Sequence, residues 1–191
     1  MKLENDMLLY HGSYLPIEKI NLEKCTQGKD FGCGFYLTSD YNQAHNFIRT
    51  SLKKAQKIGI IPQTQNYGYI SSFKFHPGKE TVKVHIFDNA DKEWLWFISQ
   101  NRRENLSGVL KNRINPDVYN SDIIIGKIAN DTTNPVITTY LNGLFGDVQS
   151  EEAINFAIRQ LMPEHLVDQY CFLTQKAVSC LVFQEAIKYA V

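Results

Sequence analysis

Apolar positions along this chain recur at two periods, and the switch between them marks out the elements. Met7–His11 (MLLYH) is a short apolar run closed by Gly12-Ser13, which predicts a strand and a turn. Phe35–Thr38 predicts a second short strand. Ser39-Asp40 then offers helix-capping chemistry. From Tyr41 to Lys57 the apolar residues Ala44, Phe47, Ile48, Leu52 and Ala55 fall three and four apart, the spacing of one helical face. Gly59 and Pro62 end that helix. Tyr67–His76 and Thr81–Phe87 both alternate, and Pro77-Gly78 lies between them, so the pattern predicts a hairpin. Asp91–Arg103 reads as a helix with Trp94, Leu95, Phe97 and Ile98 inside and a cationic end that suits the macrodipole. Ser121–Ile125 predicts a buried strand, with Gly126–Asp131 leading out of it. Ser150–Met162 predicts a helix stopped by Pro163, and Gln169–Leu173 and Cys180–Gln184 predict two further short strands. Helices interleave with strands, but a hairpin is present too. The class is α+β, not the regular alternation of a doubly wound parallel sheet.

Length and composition narrow the function. With 191 residues and no Pro/Gly/Ser-rich linker, the chain reads as one domain spanning 1–191. Lys+Arg and Asp+Glu are both 20, so the formal net charge is zero, which argues against a general electrostatic nucleic-acid binder. Cys25, Cys33, Cys171 and Cys180 form no C-x-x-C pair and have no histidine at zinc-ligand spacing. They read as free thiols in a reducing compartment. No apolar run is long enough for a signal peptide or a membrane span, so the expectation is a cytoplasmic protein with no metal and no membrane partner.

The candidate chemistry lies in two strand ends. One reads Leu9-Tyr10-His11-Gly12-Ser13. The other is Asp30-Phe31-Gly32-Cys33-Gly34-Phe35-Tyr36-Leu37-Thr38, with two glycines one residue apart. Bare glycines admit close approach to a backbone. A planar ligand carrying an amide and a ribose suits these parts. Gly12 lets a carboxamide reach backbone N–H and C=O, His11 reaches a ribose hydroxyl, and Tyr36 and Phe47 flank an aromatic ring. Each residue also has a plainer reading. His11 is then a strand-end histidine bonded to a loop carbonyl, and Tyr36 and Phe47 are core aromatics. Asp30-Phe31-Gly32 spells the kinase metal motif, but no kinase glycine loop or catalytic loop accompanies it, and that reading is rejected. Asn130-Asp131 reads as a turn and helix cap, and Arg102-Arg103 as a solvated helix end.

This series resembles the ADP-ribosyltransferase fold in its diphtheria-toxin/poly-ADP-ribose-polymerase-like branch. There the first strand carries His-Gly-Ser or His-Gly-Thr, and a later strand carries Gly-x-Tyr before a helix with a stacking aromatic. The ordered run LYHGS, DFGCGFYLT, Gln43-Ala44, WLWFISQNR, IIIGKIAND and DQYCF is similar to the bacterial DUF3990 group, over about Leu8 to Phe183. The resemblance implies a split, mostly antiparallel sheet with flanking helices and NAD in the cleft between the halves. It implies a His11–Tyr36–Gln169 catalytic triad, and an NAD site of His11, Gly12, Ser13, Gly34, Tyr36, Thr38 and Phe47. The chain departs from that pattern at Gln169, which stands where the branch has glutamate. Glutamine can hold a ribose but cannot act as a base. The implied activity is NAD-dependent mono-ADP-ribosylation of a protein or nucleic-acid acceptor, in a toxin or defence effector with an antitoxin partner. The alternatives are a non-catalytic NAD- or ADP-ribose-binding or protein-interaction module, and an NAD glycohydrolase.

Overall fold

The computed structural model describes residues 2–78, 81–102, 114–128, 133–162 and 166–191. Arg103, Asn130, Asp131 and Pro163, named above, lie outside the described residues. The elements in chain order are β1 (Leu8–Ser13), β2 (Phe35–Leu37), α1 (Tyr41–Lys57), β3 (Tyr67–Phe75), β4 (Val84–Ile86), α2 (Lys92–Arg102), β5 (Ile123–Lys127), α3 (Asn134–Leu141), α4 (Glu151–Leu161), β6 (Asp168–Phe172), α5 (Gln175–Val178) and β7 (Leu181–Ala190). The protein is α+β. One sheet has the order β1-β3-β7 and the other β2-β6-β5-β4. Every pairing is antiparallel except β4 with β5.

Among the described residues the backbones of the two sheets are bridged at one point. Tyr10 of β1 and Thr38, just past β2, exchange backbone hydrogen bonds of 2.8 and 3.0 Å. Beyond that bridge the strands part, and α1 begins at once from its N-cap Asp40, whose side chain accepts the Gln43 N–H. The inner faces of both sheets share one apolar layer: Leu9, Phe73 and Phe75 from the first, Phe35, Leu37, Ile123, Ile125, Tyr170 and Phe172 from the second. α1 covers the outer face of the first sheet with Ala44, Ile48 and Leu52 against Ile70. Helices α2, α3 and α4 cover the outer face of the second, where Trp94, Leu95 and Ile98 pack with Ile137, Ile154, Ile124 and Cys171. Burial of each such large side chain contributes about 1.5–3 kcal/mol.

The predicted hairpin does not form. Both edges of β3 are occupied, by β1 and by β7, and β4 instead joins the other sheet, parallel to β5. Alternation fixed which face each residue takes but not which strand lies alongside. The last strand is also longer than Cys180–Gln184, running to Ala190 along β3. Its register shifts near Ser72/Phe73. Phe47, assigned to the buried face of α1 by spacing, is 41% exposed, with the Lys54 ammonium 5.9 Å from its ring centre. The buried face of α1 is narrower than the apolar spacing suggested, because glycines at positions 12 and 68 bring the sheet close to only one line of the helix. A Cβ on Gly68 would lie 2.3 Å from Ile48 Cγ2.

Candidate functional site

The fork between β1 and β2 is built by strand alternation. Tyr10 turns its N–H and C=O toward Thr38, so the alternate residue Gly12 turns its own toward the same edge, past the last bridge. Tyr14, next in that alternation, donates its N–H to Ser51 Oγ of α1 at 3.2 Å. Gly12 between them is buried, and neither its N–H nor its C=O has a hydrogen-bond partner among the described residues. Buried backbone groups are nearly always paired, so this edge is exceptional. The side-chain direction of Gly12 is closed: a Cβ there would lie 1.9 Å from the Ala44 carbonyl oxygen.

His11 faces the opposite side and lies against Phe35, ring centres 4.7 Å apart. Its Nδ1–H donates to the Tyr36 carbonyl at 2.8 Å, since a carbonyl can only accept. Burial lowers its pKa below the ordinary imidazole value, although the bond to Tyr36 works in the other direction. The ring is then neutral near pH 7, and Nε2 carries a lone pair with no partner among the described residues. The plainer reading of His11 as a strand-end histidine bonded to a carbonyl is therefore true of Nδ1. Nε2 stays free to accept.

Tyr36 and Gln169 are brought to one face. Tyr36 opposes Cys171 across β2 and β6, so Tyr36, Cys171 and Gln169 share the helix-covered side of the second sheet. The Tyr36 hydroxyl donates to the Gly32 carbonyl at 2.8 Å and accepts the Phe31 N–H at 3.0 Å. Burial, then the neighbouring Cys171 and Asp30, raises its pKa far above the ordinary phenol value. Gln169 is 4% exposed. Its amide nitrogen donates to Asp30 Oδ2 at 3.0 Å and, more weakly, to the Lys127 carbonyl at 3.4 Å. Asp30 in turn pairs with Arg102, Nη2 to Oδ1 at 2.6 Å and Nε to Oδ1 at 2.8 Å. Asp168 points to the other face and pairs with Lys127 at 2.8 Å. Phe31 drives into the helix-side core, its ring stacked on Phe87, and ties down the loop that carries Asp30.

The other predicted residues are held by the protein itself. The Thr38 hydroxyl lies 2.6 Å from Gln43 Oε1 and 3.2 Å from the Asp168 carbonyl, and it accepts the Asp40 N–H at 3.1 Å. Ser13 is buried at the end of β1. Gly34 is bare because β6 is close: a Cβ would sit 2.5 Å from Cys171 Sγ. Gly32 has φ +92°, a left-handed conformation that turns the chain back after Phe31. All four cysteines are free thiols. Concavities of about 420 and 410 Å³ lie elsewhere, one beside Phe145 and Phe156, the other beside His85 and Asp117. Among the described residues no cluster of His, Cys, Asp and Glu is disposed to hold a metal ion, and no helix is long and apolar enough to cross a membrane.

A family described as a protein of unknown function (DUF3990) matches residues 7–183, which takes in both arms of the fork, Asp30, Arg102 and Gln169. The chain belongs to the DUF3990 family. No curated protein matches it. The sequence reading of this DUF3990 member missed Asp30 as the partner of Gln169, and it took Arg102, which pairs with Asp30, for a solvated helix end. Asp30 and Gln169 are 139 residues apart, and no spacing rule joins them. The one local signal was the pair of glycines after Asp30, which reports a tight loop but not where its carboxylate goes.

Proposed function

We propose that this protein is an NAD-dependent mono-ADP-ribosyltransferase whose nicotinamide end docks at the fork between β1 and β2. The observation that supports the reading is the buried, unpaired N–H and C=O of Gly12. A carboxamide offers the complement, a C=O acceptor and an N–H donor on one planar group. Neutral His11 offers Nε2 as an acceptor for a ribose hydroxyl. The expected family resemblance to the ADP-ribosyltransferase fold supplies the reaction class. In that reaction the glycosidic C–N bond breaks, its electron pair stays on the nicotinamide nitrogen, and a nucleophile on a protein or nucleic acid bonds to the anomeric carbon and gives up its proton. The protein has to orient the ribose and stabilise the cationic transition state. A toxin or defence role, with an antitoxin as partner, belongs to the same reading.

A second reading is favoured by a specific observation. The Tyr36 hydroxyl is committed to the loop backbone and the Gln169 nitrogen to Asp30, which suits a module that binds NAD or ADP-ribose without turnover. Calorimetric titration with NAD, followed by mass spectrometry for free nicotinamide, separates the two. The transferase reading expects binding and release, both reduced by His11→Ala. Binding without release, in the presence of cell extract as acceptor source, would favour the module. Free ADP-ribose without modified macromolecule would indicate hydrolysis. No binding by folded protein would sink all three.

A further inference from the structure

The geometry points to Asp30 as a positioning residue that turns Gln169 into an acceptor-only group, in place of a carboxylate. The inference rests on the proposed NAD site. An amide side chain can present either its oxygen or its nitrogen, and the two look alike until their neighbours are known. Here the neighbours decide. Asp30 Oδ2 and the Lys127 carbonyl are both acceptors, so the group facing them must be the nitrogen. The opposite orientation would set three oxygens together with no proton between them. With the nitrogen so engaged, the remaining polar atom is Oε1, an acceptor with no hydrogen-bond partner among the described residues.

That is the half of the chemistry a carboxylate would supply. A ribose hydroxyl needs an acceptor, and a freely flipping amide would present a donor part of the time. Asp30 removes that alternative. Arg102 holds Asp30 through two contacts on Oδ1, Gln169 meets Oδ2, and Phe31 anchors the next residue in the core. The location is consistent. Extending the β2–β6 register by one residue sets Gln169 opposite Thr38, which is bridged to Tyr10. Gln169 is thus two strand spacings, roughly 10 Å, from β1, the scale of a nucleoside. Gln169 itself takes no proton, so its part is to orient the ribose, and the proton of the acceptor passes to solvent.

The test exchanges the two groups. Asp30→Asn lets the amide at 169 flip, and Gln169→Glu sets two carboxylates in contact. The double variant restores one donor facing one acceptor, with an oxygen at 169 still outward. The readout is nicotinamide release at saturating NAD, with KM for NAD measured beside it. If the wild type binds without release, the same cycle is read in Kd. The expected result is a loss of about tenfold or more in each single variant, mostly in kcat, and recovery to within about threefold in the double. Melting temperatures measured alongside separate loss of fold from loss of function. Single variants that match the wild type overturn the inference and leave the NAD site standing. So does a folded double variant no better than its parents. A wild type that binds no NAD overturns both.

Discussion

At the residue scale, Gly12 and His11 carry opposite constraints. Gly12 is needed for what it lacks. Gly12→Ala would drive a Cβ to 1.9 Å from the Ala44 carbonyl oxygen, which no rotamer change relieves because the obstacle is backbone. We expect a loss of about 3 kcal/mol or more, read from the denaturant midpoint; an unchanged midpoint would show that α1 is free to shift. His11 gives a pH signature. Burial lowers its folded-state pKa below the ordinary imidazole value of about 6.5, so on acidification the unfolded chain takes up a proton before the folded one does. Its contribution is intact above about pH 6.5 and erodes as pH falls from there toward the folded-state value. His11→Gln should flatten that part of the stability profile, compared with the wild type by thermal melts from pH 7.5 to 5. Equal slopes in the two proteins would mean that His11 is freely solvated.

Element by element, the fold depends on a few clasps that lock short strands to their neighbours. Asp122, just before β5, receives hydrogen bonds from the Lys176 ammonium at 2.7 Å, the Lys83 N–H at 2.8 Å and the Thr174 hydroxyl at 2.9 Å. Burial alone would raise its pKa, but these bonds outweigh burial and the net shift is downward. Its stabilisation is therefore full above the ordinary carboxylate value and is lost as pH falls through the lowered one. Asp122→Asn should cost about 1–3 kcal/mol at neutral pH and shrink the acid-induced loss below pH 4. A variant that melts with the wild type would show the clasp to be ornamental. Helix α1 was legible from its cap to its last turn, because Asp40 and the apolar spacing are local signals. Asp40→Ala removes the acceptor for the Gln43 N–H and should lower stability by about 1 kcal/mol; melting temperature is the check.

For the whole molecule, the decisive feature is that two sheets share a single bridge among the described residues and then part. Hydrogen exchange offers a direct reading of the proposed site. NAD should slow exchange of the backbone amide at Gly12, in peptides covering β1, and leave β7 unchanged. Protection spread evenly over both strands would point to general stabilisation instead. The sequence by itself determined the class, α+β, and the course of most helices, because periodicity and caps act within a few residues. It also singled out His11, Gly12 and Tyr36 as candidates at strand ends. Only the tertiary structure decided which strand flanks β3, since alternation assigns faces and not partners. It exposed Phe47, because helix docking depends on where the sheet is bare. It gave Gly34 to β6 and joined Asp30 to Gln169 across 139 residues of chain. Contacts of that kind arise from packing between distant segments, and no local pattern of residues encodes them.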